Sequence, residues 1–220
     1  MKNGDLKTNL IQDNAQKEIL CTEAFKNLDN VTDGLGLEID PEIKELVVAL
    51  NLNGIPTLSS CAGHTDTENI RPPYIQGQAD GAPEFRYDGE EEIVKKLMNK
   101  YHFTRWRDVF GDDNARPEYY NLTRDLNESE EYKIWDAGNK PLEKKITDIL
   151  NEFNKGITRS EIQLKSVPIY PGYRVEACLV GEDSPKDFDK ESAEQNKNFV
   201  ITAQNIFMQF KDFLRSKYFN

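Results

Sequence analysis

Residues 162–180, "IQLKSVPIYPGYRVEACLV", decide the fold class. Two runs rich in apolar and aromatic residues, 162–169 and 173–180, flank Tyr170-Pro171-Gly172. A Pro-Gly pair suits a type II turn, because proline presets φ at the first central position and glycine accepts a positive φ at the second. The spacing therefore predicts a hairpin and antiparallel pairing. Cys178 falls in the strand pattern with Val175 and Val180 and reads as a core residue.

On either side of this hairpin the period changes from two to 3.6. Phe199, Ala203, Ile206, Phe207, Phe210 and Leu214 recur at helical spacing within 191–218, and Leu142, Ile146, Ile149, Leu150 and Phe153 do so before the hairpin. Further towards the N-terminus, Ile93, Val94, Leu97, Met98 and Tyr101 share one face of a helix over 90–101, with acids in its first turn and lysines later, as the helix dipole favours. Asp40-Pro41 reads as an N-cap with proline at the first helical position, Ile43, Leu46, Val47 and Leu50 follow, and Asn53-Gly54 ends that helix.

A short run, 55–60, then reads as a strand, and "PPYIQGQ" (72–78) as a second one that starts at an edge because of its prolines. Residues 9–28 are weakly helical, with Ile11, Ala15, Ile19 and Phe25 on one side, and the glycine-rich "DGLGLEID" (33–40) follows them. From 103 to 137 aromatics, charges and turn residues mix without a period; an insertion with one short strand near 119–122 is expected. Helices and strands in this mixed order, with a hairpin, predict an α+β protein rather than a doubly wound parallel sheet. The sheet is expected to be small, mixed or antiparallel, and packed by several helices. One domain over 1–220 is predicted, with an N-terminal helical arm (1–35) and a polar insertion (103–139).

Composition narrows the function classes. The chain has 220 residues, a formal charge of −11, 11 Phe and 9 Tyr, so it carries the aromatic anchors that disordered chains lack. The acidity argues against a phosphate-binding surface spread over the whole protein and for solubility. No apolar run reaches the length of a membrane span, and the first twenty residues do not read as a signal peptide. Cys21, Cys61 and Cys178 are odd in number and far apart, unlike a disulfide framework, so a reducing cytoplasm is the expected compartment. Phosphate-binding, dinucleotide-binding, HExxH and CxxC patterns are absent from the sequence.

The densest chemistry lies at 57–66, "TLSSCAGHTD". A Cys-x-x-His spacing in a tight loop brings a thiol towards an imidazole, whose protonated form would favour the thiolate and give Cys61 a depressed pKa. Cys61, His64 and Asp66 are the candidate catalytic residues, with Asp66 orienting His64. Ser59, Ser60, Gly63 and Thr65 are the candidate ligand-binding residues: the hydroxyls suit a phosphate or carboxylate, and Gly63 allows close approach of the backbone. Cys-x2-His supplies two ligands where a structural zinc needs four, and no second paired motif exists, so no metal ligand is assigned. A catalytic ion held by Cys61 or His64 with Asp66 or Glu68 is the competing reading. His102 reads as a surface residue at a helix end, and Arg105-Trp106-Arg107 as a helix end packing on a core rather than a base-stacking platform.

At "LNLNGIPTLSSCAGHTD" and "PPYIQGQ" the chain resembles a group of bacterial and phage proteins of unassigned activity, in which a helix and an Asn-rich turn lead into a strand and an S-C-x-G-H loop. The likeness covers roughly residues 41–78. More distantly, Ser59-Ser60-Cys61-Ala62-Gly63 is similar to the S-S-C-S-G loop of the wybutosine-synthesis tRNA methyltransferase family, which implies an α+β fold and S-adenosylmethionine chemistry on RNA. That family continues with arginine where this chain has His64. The leading expectation is an enzyme or ligand-binding protein for a small polar or nucleotide-like molecule. The alternatives are a non-catalytic protein whose acidic surface binds a basic partner, and an RNA-modifying methyltransferase-like protein. The residues themselves assign no cofactor.

Overall fold

The computed structural model describes residues 3–31, 38–66, 70–157, 160–182, 188 and 192–220; the side chains of 3–12 and 30 lie outside the description. The side chain of Ile11 in the expected N-terminal stripe, residues 33–37 of the glycine-rich segment, and Glu68 therefore fall outside it. The elements run α1 (Asn3–Asn27), α2 (Pro41–Leu52), β1 (Ser59–Cys61), β2 (Tyr74–Gly77), α3 (Glu90–Tyr101), α4 (Asp108–Gly111), α5 (Ala115–Thr123), α6 (Glu130–Gly156), β3 (Ile162–Pro168), β4 (Tyr173–Leu179) and α7 (Ala193–Phe219). The fold is α+β: the strands form one antiparallel sheet in the order β1-β2-β4-β3.

The chain divides into two compact units, one made of 1–78 and 139–220, the other of 79–138. In the first, the predicted hairpin pairs Ile162 with Leu179 through to Pro168 with Tyr173. Alternation along each strand sends Ser60, Ile75, Tyr173, Val175, Ala177 and Leu164 to one face. There Ile75, Tyr173, Val175 and Leu164 are fully buried against apolar stripes of α2, α6 and α7, including Leu50, Ile146, Phe207 and Phe210. The predicted periodicities of 41–52, 142–153 and 199–214 are the stripes that make this layer. Polar ties lock the layers together: Asn154 of α6 donates to Leu164 O and accepts from Leu164 N, and Asn53 donates its side-chain amide to Leu214 O. A capping box between Ser192 and Gln195 starts α7.

Four local expectations change. The hairpin loop carries a cis Tyr170–Pro171 peptide bond, which the turn prediction did not include, and Gly172 takes the positive φ that it required, 105°. The first strand begins at Ser59 rather than Ile55, because the N–H of Ile55 still bonds back to Leu50 O at the end of α2. Residues 119–122 are helical, not extended: Ala115, Tyr119 and Thr123, four apart, form the buried side of α5. Asp40 precedes α2 as predicted, with Pro41 at its first position, but its carboxylate makes no capping bond and serves a distant loop. Helix α1 forms where expected, yet Ile19 and Phe25 of its stripe stay substantially exposed.

In the second unit, Val94 and Leu97 of α3, Val109 of α4, and Ala115 and Tyr119 of α5 build a separate small core, joined by Phe85, Trp106 and Phe110. Trp106 belongs to this cluster, as the packing reading of Arg105-Trp106-Arg107 requires, and His102 is exposed at the end of α3 in a left-handed conformation. Glu90 is buried and fully engaged: its carboxylate accepts from the N–H of Arg86 and Tyr87 and from the Tyr119 hydroxyl at 2.6 Å.

Candidate functional site

Strand β1 is three residues long and, among the described residues, pairs with β2 at the end of the sheet. Its alternation separates the two serines. Ser60 sits opposite Ile75 on the core side, whereas Ser59 and Cys61 lie opposite Gln76 and Tyr74 on the other face. Arg174 and Glu176 of β4 continue those two rows. The face that carries Cys61 is thus polar and half-buried. Arg174 stacks its guanidinium 4.0 Å from the Tyr74 ring, and its Nε lies 2.6 Å from Glu176 Oε1, a contact of opposite charges without hydrogen-bond alignment.

After Cys61 the chain turns at Gly63, whose φ is 86°. A side chain there would sit 2.9 Å from Pro73 N and 3.1 Å from Arg71 O, so both conformation and space call for glycine. The turn places the Sγ of Cys61 3.4 Å from His64 Nε2 and 3.4 Å from the Gly63 N–H nitrogen, which donates to it. His64 and Arg71 exchange both backbone hydrogen bonds as an isolated antiparallel bridge. Gln204 of α7 donates to the carbonyls of Ala62 and Gly63, and Asp40 Oδ2 accepts the Ala62 N–H at 2.9 Å. Every backbone polar group of Ala62 and Gly63 thereby acquires a partner. The loop is held from three directions.

Of the predicted catalytic residues, Cys61 and His64 come together and Asp66 does not join them. Asp66 is exposed, and no hydrogen bond links it to His64 among the described residues. The carboxylate of the cluster is that of Asp40: one ligand atom each from Asp40, Cys61 and His64 lies within 4.8 Å of the other two. Nothing local in the sequence marks this, because Asp40 is 24 residues before His64 and reads as a helix cap. Of the predicted ligand-binding residues, Ser59 shares the Cys61 face, Gly63 shapes the turn, Ser60 faces the core side and Thr65 is half-buried.

The electrostatics differ from those expected of an activated thiol. Burial pushes the Cys61 thiol above its ordinary range and the Asp40 charge adds to this, against the lowering effects of the Gly63 N–H, Arg71 and Arg174. Desolvation outweighs the stabilisation of the thiolate, so the depressed pKa that a reactive Cys61 would show is not what this environment produces. Beside the loop, a cleft of about 300 Å³ is lined by Ile43, Leu46, Ala62, Pro73, Gln204 and Met208. No helix among the described residues is long and apolar enough to cross a membrane.

No family model matches this chain, and no curated protein or solved structure shows a significant match to it, so the function is argued from the site's own chemistry.

Proposed function

We propose that the protein is an enzyme or ligand-binding protein for a small polar, anionic molecule of the nucleotide-like class, held at the loop of residues 59–66. One observation carries this reading: the Sγ of Cys61 and the Nε2 of His64 converge at 3.4 Å on a loop tied to Asp40 before α2, to Arg71 before β2 and to Gln204 of α7. A mere strand end does not need so many ties. Arg71 and Arg174 both act electrostatically on the Cys61 sulfur on a protein whose formal charge is −11, although the Arg174 charge is shared with Glu176. On this reading an anionic group is drawn to the loop by the charges of Arg71 and Arg174 and binds beside His64 and Ser59, clear of the Asp40 carboxylate.

Calorimetric titration of the wild-type protein with inorganic phosphate and with adenosine monophosphate tests the reading. One-to-one binding of at least one of these anions is expected, weakened tenfold or more by His64→Ala and by Arg174→Ala. If neither anion binds, or if binding ignores both substitutions, the reading is wrong.

A further inference from the structure

We propose that Asp40, Cys61 and His64 form a mononuclear site for a divalent transition-metal ion of the zinc class, with one coordination position left for an exogenous ligand. The three side chains come from the start of α2, the end of β1 and the following turn, and their ligand atoms lie within 4.8 Å of one another. Thiolate, imidazole and carboxylate are the three donor types that zinc accepts. Bond lengths of about 2.3 Å to sulfur and about 2.0 Å to nitrogen put those two atoms roughly 3.5 Å apart across a tetrahedral angle. The observed separation of Sγ and Nε2 is 3.4 Å.

Charge and support point the same way. Asp40 and a deprotonated Cys61 bring two negative charges and His64 none, which balances a dication; the thiol proton passes to solvent as the metal–sulfur bond forms. The surroundings supply the outer hydrogen bonds that orient metal ligands. Asp40 Oδ2 is fixed by the Ala62 N–H, and the Cys61 sulfur receives the Gly63 N–H. Backbone pairing with Arg71 sets the position of His64. Three protein ligands leave a tetrahedral ion open, the arrangement of catalytic rather than structural zinc. Asp40 and His64 are half-buried and Cys61 is buried.

The metal site shares its location with the anion site proposed above, but its test uses metal alone and no anion. The full-length protein, stripped with a chelator and titrated with Co²⁺, is expected to bind one ion per chain. A near-ultraviolet sulfur-to-cobalt charge-transfer band and the strong visible bands of four-coordinate cobalt should appear, and Zn²⁺ should displace both. Cys61→Ser should abolish the charge-transfer band, Asp40→Asn and His64→Ala should each weaken binding at least tenfold, and Cys21→Ser should leave both bands in place. Circular dichroism of each variant separates loss of a ligand from loss of the fold. A folded wild-type protein that gives no sulfur–cobalt band overturns the proposal, as does a band that survives Cys61→Ser. Cobalt binding without anion binding sinks only the anion reading; the reverse sinks only this one.

Discussion

Asp40 and Ala62 are 22 residues apart, yet the carboxylate of the first accepts the backbone N–H of the second at 2.9 Å. That bond ties the start of α2 to the turn that carries Cys61 and His64. Asp40→Ala leaves the half-buried N–H of Ala62 without its partner, and in chelator-treated protein it should lower the unfolding free energy by about 1–2 kcal/mol. Asp40→Asn keeps an acceptor and should retain more than half of that difference. Urea denaturation of the three proteins checks the order; an alanine variant as stable as wild type would show that the contact contributes nothing.

Glycines where the sheet meets its loops test the close packing. A side chain at Gly77 would sit 2.1 Å from Pro56 O and 2.5 Å from the Tyr173 hydroxyl, which itself donates to Pro56 O at 2.9 Å. At Gly172 the same atom would meet Gly77 O at 2.2 Å, and φ is positive. Both obstacles are backbone or buried groups that cannot swing away. Gly77→Ala and Gly172→Ala should each destabilise by more than about 2 kcal/mol, while Gly111→Ala, which meets open space, should not destabilise. Thermal unfolding of the three variants decides it, and equal midpoints would contradict the packing described.

In the second unit Glu90 satisfies two backbone N–H groups and the Tyr119 hydroxyl with one buried carboxylate. Removing it as Glu90→Ala strands all three donors and should cost about 2–3 kcal/mol; Glu90→Gln should cost less. Both tryptophans, Trp106 and Trp135, belong to this unit, so tryptophan fluorescence, excited selectively, reports on it. The fluorescence midpoint of the alanine variant is expected to fall below that of the glutamine variant, and coincident midpoints would count against the account.

A pH dependence follows from Glu176. Burial raises its carboxyl pKa, and Arg174 beside it only partly counteracts this, with Tyr74 and Lys165 as its cross-strand neighbours. A carboxyl whose folded pKa stands above its unfolded value holds more protons folded than unfolded within that window. Its contribution to stability therefore falls as pH rises from the ordinary carboxylate range through the raised value. Glu176→Gln should remove that part of the slope, so the variant should gain relative to wild type as pH rises through the window. Urea midpoints collected across it read the difference directly, and parallel curves for the two proteins would refute the assignment.

Much of this protein was determined by sequence alone, for reasons that are local. Apolar spacing in 142–153 and 199–214, the Pro41 start and Asn53-Gly54 stop of α2, and the alternation of 162–168 against 173–179 each act within a few residues, and each element formed accordingly. The proximity of Cys61 and His64 was legible too, since a three-residue turn through Gly63 leaves them little freedom to separate. The α5 helix was hidden because its buried side is only three residues, Ala115, Tyr119 and Thr123, among charges and turn formers. The third member of the site was hidden for a different reason. Asp40 looked like a cap, and a carboxylate before a helix satisfies whichever N–H the fold brings nearest. The fold brought the Ala62 N–H to this carboxylate, which makes no bond to its own first turn, and only tertiary structure decides such a competition.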